Sequence, residues 1–226
     1  MTSTSVWPDE DVTNGTFRVP REVFRSPELF ARERDRIWGS TWLYLGHASE
    51  VAHQGDFVTR TLGGRDLVFV RDHDDELRVF FNACPHRGTV LAREPAGNAR
   101  FFRCFYHAWS FSTEGALVAL PDEGAYPAGD EFRERLRLRQ VPCVDSVAGF
   151  VFVSFDPSVP PLREHLGPAA DYIEMVAQHH AGGMAVLPGT QRYRVRGNWK
   201  LAVENAMDGY HFAPTHATFV QWLHQT

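Results

Sequence analysis

The chain of 226 residues is 43% hydrophobic, 23% charged and 13% aromatic, which supplies apolar material for one large folded domain or two small ones and excludes disorder and collagen-like structure. Its net charge of −5, from 23 basic and 28 acidic side chains, offers no surface for wrapping nucleic acid. The N-terminus MTSTSVWPDE lacks the regions of a signal peptide, and the longest apolar stretch, near 146–155, falls far short of the roughly 20 residues of a membrane helix, so a cytoplasmic protein without membrane or nucleic-acid partners is expected. Three cysteines cannot close a disulfide framework and suit metal ligation or a core position better.

Residues 1–26 are polar with scattered Pro and Gly, and Ser26-Pro27 offers an N-cap followed by Pro at the first helical position, which predicts a helix to about Trp38. From Thr41 to about Phe155 the pattern changes to short β-rich runs over 42–45, 57–61, 66–70 and 77–81, separated by Gly-Gly, Asp-His-Asp-Asp and Thr-Glu-Gly turns. A compact antiparallel β domain is expected there. Pro157, Pro160 and Pro161 break the chain, 162–178 reads as one amphipathic helix, and Gly182-Gly183 ends it. Residues 185–196 carry strand signals, Tyr193 and Val195 alternating with Arg192, Arg194 and Arg196, and 198 to about 212 reads as a helix.

Two constellations carry chemistry. The first is Cys84-Pro85-His86-Arg87-Gly88, then 17 residues between His86 and Cys104, then Cys104-Phe105-Tyr106-His107-Ala108-Trp109, each group at a turn between apolar runs. Two loops that each offer one thiolate and one imidazole suit a binuclear iron-sulfur centre with one His₂ iron and one Cys₂ iron, while a mononuclear zinc site would use the same four atoms. With two Fe³⁺, two sulfides and two thiolates the binuclear centre sums to zero when oxidised and −1 when reduced, so it carries a single electron. Neutral imidazoles place its potential within about −150 to +300 mV. Trp109 and Tyr106 read either as covers of such a centre or as core packing. Arg87, Arg93, Arg100 and Arg103 against Glu94 read either as steering for an acidic electron donor or as a solvated rim.

The second constellation is Asn205, Asp208, His211 and His216. On a helix Glu204, Asp208 and His211 share one stripe, so Asp208 can orient His211. Pro214, which lacks an N–H and disfavours the α conformation at Ala213, lets His216 swing back towards His211. Two such histidines read as metal ligands or as a capped helix with histidines facing the core. Cys143 reads as a buried thiol, and His179-His180 as a pair favoured at a helix C-terminus.

The segments Cys84-Pro85-His86 and Cys104-Phe105-Tyr106-His107, with Arg87-Gly88 and Trp109 around them, resemble the Rieske motif of ring-hydroxylating oxygenases. Asp208-Gly209-Tyr210-His211, followed after four residues by His216, resembles the mononuclear iron motif of the same family, in the same order. The one departure is Ala108, where that family usually has Gly. The resemblance implies an α+β fold: an antiparallel β Rieske domain plus the truncated start of an α/β helix-grip catalytic domain. The expected divisions are a helical segment over 1–40, the Rieske domain over 41–160 and the start of the iron domain over 161–226.

It further implies a [2Fe-2S] cluster on Cys84, His86, Cys104 and His107, and Fe(II) on His211 and His216, with a third carboxylate ligand outside these 226 residues. Asp208 resembles the aspartate that relays an electron to the iron site from the Rieske histidine of a neighbouring subunit, which implies a homotrimer or α3β3 assembly. Two residues stand between Asn205 and Asp208, a spacing that resembles the benzoate and cumate groups rather than the naphthalene group. The implied activity is dioxygenation of a small aromatic substrate, favouring a carboxylate, with O₂ and electrons from a ferredoxin or flavin reductase. A Rieske carrier without its own catalysis, or an inactive fragment, is the alternative. Respiratory Rieske proteins carry a disulfide beside the cluster, and here Arg87-Gly88 and Phe105 stand in its place, so the lower end of the potential range is expected.

Overall fold

The computed structural model describes residues 8–127, 129–187 and 189–224, and its contacts divide the chain into two compact units, Glu33–Pro188 and Met1–Arg32 with Gly189–Thr226. The polar N-terminal stretch carries a hairpin ahead of its helix, β1 (Asp9–Asp11) pairing antiparallel with β2 (Thr16–Arg18). Asn14-Gly15 is the signal for its turn: the Asn14 N–H donates to Asp11 Oδ1 at 3.1 Å, and Gly15 follows at φ +60°. After a single turn, α1 (Glu22–Arg25), the helix α2 (Pro27–Glu33) starts where Ser26-Pro27 predicts. Ser26 Oγ accepts the Leu29 N–H at 3.2 Å as N-cap, and a π-helical turn over Arg34–Trp38 carries the chain to the expected end.

The four expected strands are present as β3 (Leu43–His47), β4 (Asp56–Leu62), β5 (Arg65–Arg71) and β6 (Leu77–Phe81). They are joined by β7 (Ala96–Asn98), β8 (Phe101–Arg103), β9 (Ser110–Ser112) and β10 (Leu117–Ala119), then, after α3 (Asp130–Arg135), by the hairpin β11 (Cys143–Val147) and β12 (Phe150–Ser154). All pair antiparallel, in sheets of order β6-β5-β4-β7, β11-β12-β3 and β10-β9-β8. This is the antiparallel β domain of an α+β chain that the sequence implies.

The run Leu67-Val68-Phe69-Val70 shows no alternation because both faces of β5 are covered. Val68 and Val70 enter a core with Phe57, Phe80, Phe102, Trp109 and Phe111, while Leu67 and Phe69 meet Leu45, Val51, Val79, Val151 and Val153 on the other side. Cys84 and Cys104 belong to the first core, each 2% exposed, so the loops that carry them are rooted in packed apolar side chains whose burial contributes about 1.5–3 kcal/mol apiece.

Several expectations about the helices and strands of the later chain need correction. The single helix over 162–178 is two, α4 (Leu162–Leu166) and α5 (Ala169–Ala177), because Gly167 takes φ +52°, ψ −134° and Pro168 brings no N–H to continue the ladder. Leu162 and Ala170 pack against Val147 of β11, within the unit Glu33–Pro188. The strand signalled over 185–196 is irregular among the described residues. Tyr193 and Val195 stand more than four-fifths exposed, and alternation makes a strand only where a partner edge accepts it.

The helix expected over 198 to about 212 ends earlier, as α6 (Trp199–Met207), with the Asn198 side chain accepting the Lys200 N–H at 3.0 Å as N-cap. Asn198 Nδ2 also donates to Phe24 O at 3.1 Å and so ties α6 to the N-terminal segment of the same unit. Two short helices follow, α7 (Phe212–Thr215) and α8 (Ala217–Leu223). Ala213 remains helical despite Pro214: the proline sits in the first turn of α7, where an N–H has no intrahelical partner to lose.

Candidate metal centres

The first site is built by two loops of the same design. After β6, the Gly88 N–H donates to Cys84 O at 2.8 Å and the Cys84 N–H to Thr89 O at 2.8 Å; after β8, the Ala108 N–H donates to Cys104 O at 2.9 Å and the Cys104 N–H to Trp109 O at 2.8 Å. Each loop reverses through a left-handed residue, Gly88 at φ +72° and Ala108 at φ +58°. The imidazole sits two residues after the cysteine in the first loop and three in the second.

Folding segregates the four side chains by type. The Cys84 and Cys104 thiols are neighbours, and the His86 and His107 rings lie with centroids 4.7 Å apart. Burial pushes the Cys84 thiol up, as does the neighbouring Cys104, while the backbone N–H groups of His86 and Arg87 aim at its sulfur and oppose the rise. Burial, His107 and Arg87 all push His86 down, towards the neutral imidazole that a metal requires. Its Nδ1 is buried without a hydrogen-bond partner, a state that a metal-facing nitrogen explains. Among the described residues no three Cys, His, Asp or Glu side chains gather round one point as a single ion demands. Paired thiols and paired imidazoles fit a centre with one thiolate-bound and one imidazole-bound iron.

Two supports were not legible as such in the sequence. Asn82, buried just before the first cysteine, accepts the Leu91 and Ala92 N–H groups at 3.1 and 2.8 Å on Oδ1 and donates to Ala92 O at 2.8 Å, closing the first loop at its base. A polar amide at the end of the apolar run 77–81 was the available signal. Trp109, 3% exposed, stacks on His86 with centroids 4.6 Å apart and planes 4° apart. Tyr106 instead leans on His107 at 3.9 Å with more than half its surface exposed. Arg87, Arg93, Arg100 and Arg103 are all exposed, and Arg93 lies over the Phe105 ring at 4.9 Å.

The second site lies beyond α6. Asp208 is the residue that ends the helix, not a member of a helical stripe with Glu204 and His211. It reaches His211 through a turn: its Oδ1 accepts the Tyr210 N–H at 2.8 Å, and its Oδ2 lies 3.1 Å from His211 Nδ1. The Tyr210 N–H and His211 hold its carboxyl below the usual range. A proton shared on Nδ1 leaves His211 Nε2 for a metal. His216, at φ −112° and ψ 41° between α7 and α8, places its ring centroid 5.5 Å from that of His211. Among the described residues no hydrogen bond joins Asn205, exposed on α6, to Asp208, His211 or His216. Cys143 is half-buried, with its thiol 3.6 Å from Asp156 O. Among the described residues no helix is long and apolar enough to cross a membrane.

Known proteins share both sites' surroundings. Residues 41–150 match the Rieske [2Fe-2S] domain family, and residues 185–226 match the catalytic domain of ring-hydroxylating alpha subunits. The chain is 38% identical to toluate 1,2-dioxygenase subunit alpha of Pseudomonas putida, over 92% of this chain and 46% of that one. It is likewise 38% identical to the anthranilate 1,2-dioxygenase large subunit of Acinetobacter baylyi, over 92% of this chain and 44% of that one. In structure it resembles naphthalene 1,2-dioxygenase from Rhodococcus sp. bound to indole, with a TM-score of 0.84 at 35% identity, over 90% of this chain and 46% of that one. The chain thus spans less than half the length of these relatives. Family domains that fall on the two sites in order, with this depth of likeness over nine-tenths of the sequence, place the chain in the family of Rieske [2Fe-2S] ring-hydroxylating oxygenase alpha subunits, whose cofactors are that cluster and a mononuclear Fe(II).

Proposed function

We propose that Cys84, His86, Cys104 and His107 hold a [2Fe-2S] cluster, that His211 and His216 hold Fe(II), and that the protein is the oxygenase component of an aromatic-ring-hydroxylating dioxygenase. The observation that carries the reading is the matched pair of loops, which sets two thiols side by side and two imidazoles side by side. When bound, the cluster supplies one-electron storage and the mononuclear iron supplies activation of O₂. The protein's own groups do the rest. The N–H groups of His86 and Arg87 aim at the Cys84 sulfur and favour its thiolate, and Asn82 keeps the loop that presents them closed. Asp208 orients His211, and its side chain, 48% exposed, leaves room for contact with the Rieske histidine of a neighbouring subunit. A trimeric or α3β3 assembly follows from that role.

A small aromatic carboxylate is the proposed substrate class. The two residues between Asn205 and Asp208 support it, as do relatives named for toluate and anthranilate. Electrons are proposed to come from a ferredoxin or flavin reductase.

Metal stoichiometry tests the reading. Anaerobic protein supplied with Fe(II) is expected to hold about three irons and two acid-labile sulfides per chain, and His211→Ala about two irons. Equal iron and sulfide in both proteins supports a carrier without its own catalysis.

A further inference from the structure

We infer that Trp109 keeps water from His86 and thereby holds the reduction potential of the cluster low. The inference rests on the assignment of His86 as an iron ligand and goes beyond it in naming what sets the potential. The indole lies flat on the imidazole at 4.6 Å and 4°, and it is 3% exposed. Its position is fixed from the other loop, because the Trp109 carbonyl accepts the Cys104 N–H at 2.8 Å. A second aromatic layer backs it: Tyr126 meets Trp109 edge-on at 5.9 Å, and Phe132 meets Tyr126 at 5.5 Å. The two imidazoles are therefore covered unequally, one by a buried stack and the other by the exposed Tyr106.

The physical consequence follows from charge. Reduction adds one electron from an external one-electron donor and takes the centre from zero to −1. Water beside an imidazole ligand stabilises that added charge, whereas a stacked apolar ring withholds it. Thinning the cover should favour the reduced form and raise the potential, with no change of ligand. Simple core packing predicts a loss of stability without this shift.

The test is a redox titration of the full chain followed by its visible absorption, on wild type, Trp109→Phe, Trp109→Leu and Tyr126→Leu, with iron and sulfide quantified on each. The potential is expected to rise from wild type through Trp109→Phe to Trp109→Leu, the last by about tenfold in the electron-sharing equilibrium, or about 59 mV. Tyr126→Leu is expected to give a smaller rise. If Trp109→Leu loses its cluster, the other two variants carry the same test. Potentials unmoved or lowered in variants that retain iron and sulfide overturn the inference alone. A wild-type protein without iron and acid-labile sulfide overturns the cluster assignment and the inference with it.

Discussion

Gly88 and Ala108 occupy the same place in the two matched loops, each four residues after a buried cysteine, each donating its N–H to that cysteine's carbonyl and each left-handed, at φ +72° and +58°. Only one of them is a glycine. The left-handed conformation costs an L-residue with a Cβ about 1 kcal/mol, so the second loop folds against a strain that the first avoids.

Ala108→Gly is therefore expected to stabilise the protein by about 0.5–1 kcal/mol, visible as a higher urea midpoint with unchanged slope. A lower midpoint would mean that the methyl group makes packing contacts worth more than the strain.

Asn82→Ala removes three hydrogen bonds and leaves the Leu91 and Ala92 N–H groups without their acceptor. A loss of about 2–3 kcal/mol is expected, together with faster release of iron to a chelator. Asn82→Asp keeps the acceptor and should lose less. Chelation rates equal to wild type in both variants would show that the loop base does not hold the site.

The hydrogen bond between Asp208 and His211 predicts a graded effect on Fe(II). Measured by anaerobic calorimetry, Asp208→Asn is expected to weaken binding about 10–100-fold and His211→Ala to abolish it at the mononuclear site. Equal affinities in wild type and His211→Ala would remove this histidine from the ligand set.

The grouping of the candidate residues was legible in the sequence from residue type and spacing: Cys84 lies beside Cys104, His86 beside His107 and His211 beside His216. The route to the second convergence was not. Asp208 reaches His211 through a turn after α6 rather than along a helix, and Pro214 sits inside α7 without breaking it, since cap positions tolerate what helix interiors refuse. The continuous strands β5 and β6 announced themselves by apolar runs. The three-residue strands β7 to β10 are too short for any period to show, and pairing with neighbours alone defines them. The failed strand over 185–196 is the converse, a pattern without a partner edge.

Acid should loosen the contact between the β5–β6 turn and the sheet that carries the second cluster loop. Glu114, in the β9–β10 turn, accepts the His73 N–H at 3.2 Å and the Thr113 hydroxyl at 3.0 Å. Burial alone would raise its carboxyl, but donation from Ser112, its own N–H, Thr113 and His73 brings it from 4.5 down to about 2. A depressed pKa gives stability that is present above 4.5 and lost as pH falls towards 2. Relative to Glu114→Gln, wild type is expected to be more stable by about 1–2 kcal/mol at neutral pH, with the gap shrinking through that window. A gap that does not change with pH would contradict the assignment.

A [2Fe-2S] cluster held by two matched loops through two thiolates and two imidazoles, as proposed, has its own paramagnetic signature when reduced. Low-temperature EPR of the anaerobic, dithionite-reduced protein, with iron and acid-labile sulfide measured on the same sample, tests it most directly. A rhombic signal whose average g is at the low value of histidine-ligated [2Fe-2S] centres is expected, with sulfide present. A silent sample that contains zinc and no sulfide would contradict it.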